Sequence, residues 1–570
     1  MNVIHSLLIA FLFCSSSTFA QQSLLLRNAR IIDVEEESIS NASYLLIKGN
    51  KIHEIGQGKG PEADSIIDLE GNFVLPGLID GHVHYFQSGG LYTRPDAIDL
   101  RAVKPYDEHV AWVRSQAPDF FQRYLAAGIT YTCDVGGPMS NYFLREEARA
   151  SLAPELFVTG PLISTYQPEA LKTDDPPIVK VNSAEEAREL VRKQLPFKPD
   201  FIKIWYIVLP GQSAEVNLPI VQATIEESHT HGIPVAVHAT QYKTAQLAVE
   251  AGCDMLVHSI EDQQVSPEFA QSLREKGVSY IPTLIVGKNY ERTFSQLLQI
   301  SEEDFALANP FTLGSLMDLQ HLDSALIPRY VHRMMELKAE MPNPGTDIMA
   351  DNLKLMVENG VNVVTGTDAG NIGTLHASSY FAELQAMKAA GLSNAQILRA
   401  STINGAIMLG KTDQMGKIAA GYQADFLVLE ENPLEDLQHL RSLKTVVRQG
   451  RAYTASELVP NSPEIMVQRQ LNAYNLRNLE AFVDCYADSV AVYGYPDQLY
   501  YVGKDKMGPN YQGMFENTPE LHCELVNRIV LGNTVIDQER VTGFGPDRVI
   551  KAVAIYTVEN GKISVVRFVQ

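Results

Sequence analysis

Short apolar runs alternate with helical stretches through the middle of the chain. From Gly77 onward these runs are rich in β-branched residues, which is typical of parallel βαβ units. The candidate strands cover 77–84, 128–135, 156–163, 200–207, 233–239, 254–260, 279–286 and 361–369. Eight strands with crossover helices favour a (β/α)8 TIM barrel with insertions over an open sheet. The helical stretch 287–359 is predicted as an insertion after the seventh strand and a candidate lid.

Strand-like segments of a different kind flank the predicted barrel, which covers 77–412. Residues 21–76 contain short strands with a two-residue hairpin turn at Gly49-Asn50. Residues 413–455 return to the same pattern, so both segments are predicted to form one composite β-sandwich. The fold class is therefore α/β, with a small composite sandwich beside the barrel.

The last part of the chain has its own pattern. Residues 456–464 are polar and contain proline, which predicts a linker. Residues 465–570 begin with an amphipathic helix and continue with strands of alternating polarity. This order predicts a separate α+β domain.

Composition narrows the classes of partner. The 570 residues are 45% hydrophobic with a mean hydropathy of -0.08, typical of a globular protein with several domains. The net charge of -22 repels nucleic-acid phosphates and anionic lipids, which excludes both as favoured partners. A small-molecule substrate is the partner that we expect, and the sequence leaves a homo-oligomer open.

The N-terminus has the layout of a secretory signal peptide. Leu7 to Cys14 form an unbroken apolar run, and Ala20 is a plausible cleavage point, although the first residues contain no Lys or Arg. Such a run is shorter than the roughly 20 residues that span a bilayer. We expect residues 1–20 to be removed, no membrane insertion afterwards, and a periplasmic or extracellular protein.

Four cysteines remain after this segment, too few for a disulfide framework in a chain of this length. Cys485 and Cys523 lie in one segment and could pair in an oxidising compartment. The sequence leaves that pairing open.

Two histidines interrupt the first predicted barrel strand. His82 and His84 are two residues apart, so they project from the same face of a strand. Burial of an imidazole without a polar partner is unfavourable, and a pair of them suggests something to bind. Two hydrogen-bonded core histidines are the simpler explanation when such a pair stands alone.

Further polar residues of metal-binding type recur at the ends of other predicted strands. His238 ends the fifth strand, His258 lies near the end of the sixth, Asp368 ends the eighth, and Lys203 lies within the fourth. Active sites of TIM barrels lie at the carboxyl ends of the strands. The recurrence favours a divalent metal site over unrelated core histidines.

Lys203 needs a separate explanation, because an ammonium group cannot bind a metal and is costly to bury. Carboxylation to a carbamate removes both difficulties and supplies two oxygen ligands. The alternatives are a lysine that reaches solvent or one that pairs with Asp200.

Five short motifs match the ligand pattern of the amidohydrolase superfamily in order: "GHVH", "FIKIW", "VAVHA", "LVHSI" and "GTDAG". This part of the chain resembles the prolidase-like and imidazolonepropionase-like branch of that superfamily. The resemblance implies two divalent metal ions. It places His82, His84 and Asp368 on one ion, His238 and His258 on the other, and carboxylated Lys203 between them. Zn²⁺ suits these ligands best, with Mn²⁺ and Fe²⁺ as alternatives.

The resemblance implies hydrolysis of a C–N bond in an amide, a cyclic amide or a dipeptide, with an ester as a lesser alternative. A metal-activated water attacks the carbonyl, and Asp368 passes the proton to the leaving nitrogen. A mononuclear enzyme with unmodified Lys203 is a further alternative. The candidate substrate residues are Arg94, Tyr206, Tyr242 and His376, each of which could instead be a packing or solvated residue.

Residues 465–570 resemble the nuclear transport factor 2-like, or polyketide-cyclase-like, fold, through "AYNLRNLEAFVDCYADSVAVYG" and "AVAIYTVENGKISVVRF". The resemblance implies a cone-shaped domain that binds small hydrophobic molecules, dimerises or, occasionally, catalyses isomerisation. The alternative is therefore a ligand-binding or dimerisation protein in which the C-terminal domain carries the function and the barrel is a scaffold. Fold alone does not decide between the two.

Overall fold

A computed structural model describes residues 23–337, 345–545 and 548–569. The predicted signal peptide, residues 1–20, lies outside this part of the chain. Within it, no helix combines the length and apolar character needed to cross a bilayer.

The chain begins with five strands of a small sheet: β1 (Ser23–Asp33), β2 (Ser38–Lys48), β3 (Lys51–Gly56), β4 (Ser65–Asp68) and β5 (Phe73–Pro76). β1 pairs antiparallel with β2 and parallel with β4 and then β5. Gly49 adopts a positive φ of 61° in the turn between β2 and β3, a conformation that glycine reaches without steric cost. The hairpin predicted at Gly49-Asn50 is therefore present.

The barrel strands follow: β6 (Leu78–Val83), β7 (Ile129–Asp134), β8 (Glu155–Val158), β9 (Leu162–Ser164), β10 (Ile178–Lys180), β11 (Ile202–Trp205), β12 (Val235–His238), β13 (Met255–Val257), β14 (Ser279–Ile281) and β15 (Asn362–Val363). They lie in the orders β6-β7-β8 and β10-β9-β11-β12-β13-β14-β15. The third predicted strand is divided, because Pro161 lacks the N–H that a continuous ladder needs. β8 pairs with β7, and β9 pairs with β11.

Backbone hydrogen bonds between β6 and the segment after β15 close the barrel. The Gly81 N–H donates to the Thr365 carbonyl at 2.8 Å, and the Asp368 N–H donates to the His82 carbonyl at 2.8 Å. Gly366 permits this approach, since a Cβ there would lie 2.5 Å from Ile281 Cγ2 and 2.9 Å from His82 Cβ. The TIM barrel predicted from the strand pattern is confirmed.

Fifteen described helices accompany the barrel: α1 (Tyr106–Ser115), α2 (Ala117–Ala126), α3 (Leu144–Ala150), α4 (Ala184–Gln194), α5 (Leu218–Thr230), α6 (Tyr242–Ala251), α7 (Pro267–Lys276), α8 (Val286–Ser295), α9 (Glu302–Leu307), α10 (Pro310–Ser315), α11 (Arg329–Leu337), α12 (Gly345–Glu358), α13 (Ser379–Ala389), α14 (Asn394–Ala400) and α15 (Ile403–Met408). Helices α8 to α12 lie between β14 and β15, where the sequence predicts an insertion.

Three strands after the barrel complete the first sheet: β16 (Phe426–Leu429), β17 (Leu443–Arg448) and β18 (Arg451–Thr454). β16 pairs antiparallel with β5, which gives the order β18-β17-β16-β5-β1-β2-β3. Leu45, Val74, Phe426 and Val447 form part of its apolar cluster. The segment predicted as a linker contains part of a short helix, α16 (Ala455–Leu458), which a capping box of Thr454 and Glu457 starts.

The C-terminal domain consists of α17 (Pro463–Asn475), α18 (Leu479–Asp484), β19 (Tyr486–Gly494), β20 (Gln498–Val502), α19 (Lys504–Asn517), β21 (His522–Leu531), β22 (Thr534–Thr542), β23 (Ile550–Glu559) and β24 (Lys562–Val569). Its sheet has the order β20-β19-β24-β23-β22-β21. Phe482, Tyr486 and Phe515 contribute to a core of its own. Cys485 and Cys523 are buried free thiols.

Candidate metal centre

His82, in β6, and His84, just after it, point to the same side, as the strand period requires. Both are buried, and their Nε2 atoms are 3.3 Å apart. His84 Nδ1 lies 2.6 Å from the Gly136 carbonyl oxygen. Because that oxygen can only accept, Nδ1 carries the proton, and His84 Nε2 directs a lone pair at the centre.

Asp368 follows β15 and brings a carboxylate to the same point. Its Oδ1 lies 3.3 Å from His82 Nε2 and 3.1 Å from His84 Nε2. A carboxylate oxygen and an imidazole lone pair repel each other at such a distance unless a cation lies between them. The ligand atoms of these three residues all lie within 4.8 Å of one another. The donor set therefore fits a divalent metal ion.

Two further histidines adjoin this group. The ring centroids of His238, at the end of β12, and His258, just after β13, are 4.3 Å apart. The His258 ring lies 4.9 Å from that of His82, and its Nδ1 lies 3.8 Å from Asp368 Oδ2. Burial lowers the pKa of His82, His238 and His258, with smaller contributions from Lys203 and neighbouring imidazoles. These rings are therefore neutral at pH 7, the form that binds metals.

Lys203 is buried in β11 among the same side chains. Its Nζ has no hydrogen-bond partner within the described residues. Asp200, the alternative partner, accepts instead from Arg145 Nη2 at 2.5 Å and from the Val158 N–H at 2.8 Å. Burial lowers the pKa of Lys203 to about 7. A buried amine without a hydrogen-bond partner and with a lowered pKa fits a carbamate better than it fits a paired lysine.

Asn371 orients the Asp368 carboxylate, a role that the sequence did not predict. Its Nδ2 donates to Asp368 Oδ1 at 2.7 Å. Its Oδ1 accepts from Arg94 Nη1 at 2.5 Å and from the Tyr290 hydroxyl at 2.9 Å. These two donors fix the amide so that its NH₂ group faces Asp368. The spacing of three residues within one loop was the only available signal, and it is too common to single out an asparagine.

Asp80 is a second residue that the sequence analysis missed. It is fully buried, and it accepts from Thr367 Oγ1 at 2.8 Å and from the His82 N–H at 3.3 Å. Burial raises its pKa to about 7. Asp80 thereby joins the strand that carries His82 to the residue before Asp368.

Arg94 is occupied by protein groups. Its guanidinium donates to both carboxylate oxygens of Asp96, at 2.8 and 2.7 Å, as well as to Asn371. Among the described residues, its hydrogen bond towards the centre goes to Asn371, and a bidentate contact with a substrate carboxylate would require these bonds to break.

His376 and the two tyrosines also make protein contacts. His376 stacks on Tyr85 at 5.3 Å, and its nitrogens lie 3.1 Å from the Tyr124 hydroxyl and 2.8 Å from the Gln87 carbonyl oxygen. The buried Tyr206 hydroxyl donates to the Ala214 carbonyl at 2.7 Å. Tyr242 is half-buried at the start of α6, and its ring packs on Phe269. None of these contacts joins the predicted substrate residues to the ligand set, and their substrate roles stay predictions.

Comparisons with known proteins identify the family of most of the chain. Residues 73–453 match the amidohydrolase family, and residues 467–566 match a SnoaL-like domain. The 5-methylthioadenosine/S-adenosylhomocysteine deaminase of Syntrophomonas wolfei subsp. wolfei is 21% identical over 476 residues, covering 79% of this chain and 95% of that protein. The ochratoxinase of Aspergillus niger is 23% identical over 403 residues, covering 65% and 73%.

Solved structures show the same barrel. A Xaa-Pro dipeptidase with bound methionine in the active site matches with a TM-score of 0.57 and 22% identity, covering 76% of this chain and 100% of that chain. Phenylurea hydrolase B matches with a TM-score of 0.55 and 18% identity, covering 76% and 97%. Since the family match extends over well more than half of its length, the chain belongs to the amidohydrolase family and carries a SnoaL-like domain at its C-terminus.

Proposed function

We propose that the protein is an exported hydrolase that uses two divalent cations to cleave a C–N bond of a small molecule. The observation that carries the proposal is the contact of His84 Nε2 and Asp368 Oδ1 at 3.1 Å, an acceptor facing an acceptor inside a cluster of imidazoles. Family membership supports hydrolysis, and the signal-peptide pattern at residues 1–20 supports export.

The proposal assigns the ligands in two groups. His82, His84 and Asp368 would hold one cation, and His238 and His258 the other, with carboxylated Lys203 shared. When bound, the cations would polarise the scissile carbonyl and lower the pKa of a water molecule. Zinc is the ion that the nitrogen and oxygen ligands favour most.

The protein groups then have defined tasks. Asp368 accepts a proton and delivers it to the leaving nitrogen, as a general base and then a general acid. Asn371, held by Arg94 and Tyr290, keeps the carboxylate of Asp368 in one orientation. The neutral Lys203 amine attacks CO₂, forms an N–C bond and releases one proton, which gives the carbamate.

The substrate class is proposed from the chemistry that the relatives share. The names of the matched proteins include a deaminase, a Xaa-Pro dipeptidase and a phenylurea hydrolase. Their common feature is a carbon–nitrogen bond at a planar carbon. A panel of N-acyl amino acids, Xaa-Pro dipeptides and cyclic ureides, assayed with zinc and with manganese, would identify the substrate.

Metal removal is the direct test. Dialysis against a chelator should abolish hydrolysis of any substrate found in the panel, and added Zn²⁺ or Mn²⁺ should restore it. Asp368→Asn should lose hydrolysis while the C-terminal domain keeps its fold.

Full turnover by metal-free protein would overturn the proposal, and metal analysis giving one ion per chain would overturn its binuclear part. Ligand binding that survives Asp368→Asn, without any hydrolysis by the native protein, would favour the C-terminal domain as the working part.

A further inference from the structure

We propose that the C-terminal domain is a clamp that holds the insertion between β14 and β15 against the two loops that carry the candidate ligands. It would act as a positioning domain for the barrel rather than as an independent module. The catalytic side of this inference rests on the proposed function, whereas its structural side can be tested without any substrate.

The first helix of the C-terminal domain contacts the insertion directly. Asn472 of α17 is buried, and its Nδ2 donates to the Pro310 carbonyl at 2.7 Å. Arg469 Nη2 donates to the Ala306 carbonyl at 3.0 Å. Gly314 lies so close to α17 that a Cβ there would be 2.7 Å from Asn472 Oδ1. The insertion therefore packs on α17 through specific polar contacts as well as through shape.

A buried polar chain fixes the direction of the Asn472 amide. Arg528 Nε and Nη2 donate to both oxygens of Asp537, at 2.7 and 2.6 Å. Arg528 Nη1 donates to Gln468 Oε1, and Gln468 Nε2 donates to Asn472 Oδ1, each at 2.9 Å. Because its oxygen is occupied, Asn472 must direct its NH₂ group at Pro310. The central sheet of the domain is thus connected to the insertion.

The barrel holds the same short segment from the opposite side. Arg123 of α2 is completely buried, and its Nη1 donates to the Ala308 carbonyl at 2.9 Å and to the Leu307 carbonyl at 3.2 Å. Asn309 Nδ2 donates to Asp119 Oδ2 at 2.8 Å. Barrel and C-terminal domain therefore bind neighbouring backbone groups between residues 306 and 310.

The insertion in turn contacts the loop after His84. The Leu91 N–H donates to Ser315 Oγ at 3.1 Å, and the Tyr92 hydroxyl donates to Asp318 Oδ2 at 2.9 Å. Both contacts lie within eight residues of His84. Movement of the insertion would therefore displace this loop.

The loop after Asp368 is connected to the same unit. Ser378 Oγ donates to Asp304 Oδ1 at 2.7 Å. Backbone bonds then join the two loops, from the Gly89 N–H to the Gly370 carbonyl at 2.9 Å and from the Gly373 N–H to the Gly89 carbonyl at 2.8 Å. Both loops that follow the candidate ligand residues therefore contact a segment that is hydrogen-bonded to the C-terminal domain.

The test is hydrogen exchange of the full chain, comparing the native protein with Arg469→Ala/Asn472→Ala. Loss of two hydrogen bonds should speed exchange of amides in 302–319, 88–93 and 370–376 at least about fivefold. With a substrate from the panel, KM should rise more than kcat falls, since the ligand residues themselves are unchanged. Lys562→Ala is the matched control, because Lys562 bonds to Asp484 within the C-terminal domain and to no described residue of the insertion; it should leave all three segments at native rates.

Gly314→Ala provides a second variant that keeps every donor and only pushes α17 away. It should speed exchange in the same three segments. Loops at native exchange rates in both variants would overturn the clamp, whether or not residues 302–319 loosen. Uniformly faster exchange across the barrel would overturn it as well, since that is the signature of general destabilisation. Absence of hydrolysis, by contrast, would count against the proposed function and leave the exchange result standing.

Discussion

The orientation of Asp368 depends on its backbone and on its neighbours together. Its φ of 61° lies in the left-handed region, which costs a non-glycine residue about 1–2 kcal/mol. The hydrogen bond from its N–H to the His82 carbonyl and the contact with Asn371 Nδ2 hold it there. A residue held by two external contacts in a strained conformation is positioned by the fold, not by its own preference.

Replacement of Asn371 should therefore weaken metal binding. Asn371→Leu removes the donor to Asp368 Oδ1 and leaves Arg94 Nη1 and the Tyr290 hydroxyl without their acceptor. We expect zinc affinity to fall about 10- to 100-fold, as for other residues that orient ligands. Zinc titration in a competing chelator measures this directly. Asn28→Leu is a matched control, since Asn28 also donates to an aspartate, Asp68, but is exposed; equal losses in both variants would contradict the prediction.

Individual residues differ in how well the sequence predicted them. The sequence predicted the common face of His82 and His84, because side-chain direction in a strand repeats every two residues. For Arg94 the sequence predicted only a charged residue in a loop. Its bonds to Asp96 are local, but its bond to Asn371 crosses 277 positions of the chain, which no local pattern encodes.

At the scale of elements, closure of the barrel decides whether the ligands meet. β6 and the segment after β15 approach closely because Gly81 and Gly366 have no side chains at the contact. The backbone hydrogen bonds between them place Asp368 beside His82. The sequence predicted both strands, but glycine in a strand can equally mark a bulge or a bend.

Gly366→Ala tests this closure. The new Cβ would lie 2.5 Å from Ile281 Cγ2 and 3.0 Å from the His82 nitrogen, so β6 or β14 must shift. We expect a loss of about 1–3 kcal/mol in the free energy of unfolding, together with weaker zinc binding. Chemical denaturation and metal analysis measure the two effects. Gly287→Ala is the control, because nothing lies within 4 Å of a Cβ there; native stability in the Gly366 variant would refute the close approach.

A buried carboxylic acid in β22 gives the C-terminal domain a pH-dependent stability. Burial raises the pKa of Glu539 from 4.5 to about 7, and its Oε1 accepts from the Tyr556 hydroxyl at 2.9 Å. Between about pH 4.5 and 7 the folded chain holds a proton that the unfolded chain has released. The free energy of unfolding therefore falls as pH rises through this window and stays lower above it.

Glu539→Gln should remove that dependence, because the amide keeps the hydrogen bond to Tyr556 without a charge to bury. The variant should be more stable than the native protein by about 2–3 kcal/mol at pH 8 and nearly equal to it at pH 4. Denaturation of the full chain at several pH values, followed by hydrogen exchange in β22 and β23, measures the difference. Glu524→Gln, at an exposed position paired with Arg540, should show no such change. A constant difference across pH would contradict the assignment.

At the scale of the whole molecule, the candidate ligands come from strands that are far apart in the sequence. β6, β11, β12 and the segments after β13 and β15 each contribute a side chain. Cations held by these side chains would connect barrel strands that are distant in the sequence, and the unfolded chain would lack the site. Metal binding should therefore stabilise the folded state by mass action.

Metal removal should lower the thermal midpoint. At free zinc 100-fold above Kd the stabilisation is about 2.7 kcal/mol, which calorimetry of metal-free and zinc-loaded protein detects as an upward shift of the unfolding transition. Asp368→Asn should reduce that shift, since it removes the anionic ligand. A zinc-induced shift of native size in this variant would place the ion elsewhere.

Local periodicity in the sequence predicted the barrel, the composite sheet, the α+β domain and the candidate ligand residues at strand ends. These features follow from local rules, since side-chain direction and strand pairing repeat over two residues. The carboxylate orientation set by Asn371 and the contacts of Asn472 and Arg123 with one segment of the insertion became visible only in the folded chain. Those depend on which distant groups meet as donor and acceptor, and hydrogen bonds of that kind carry no signature in the local order of residues.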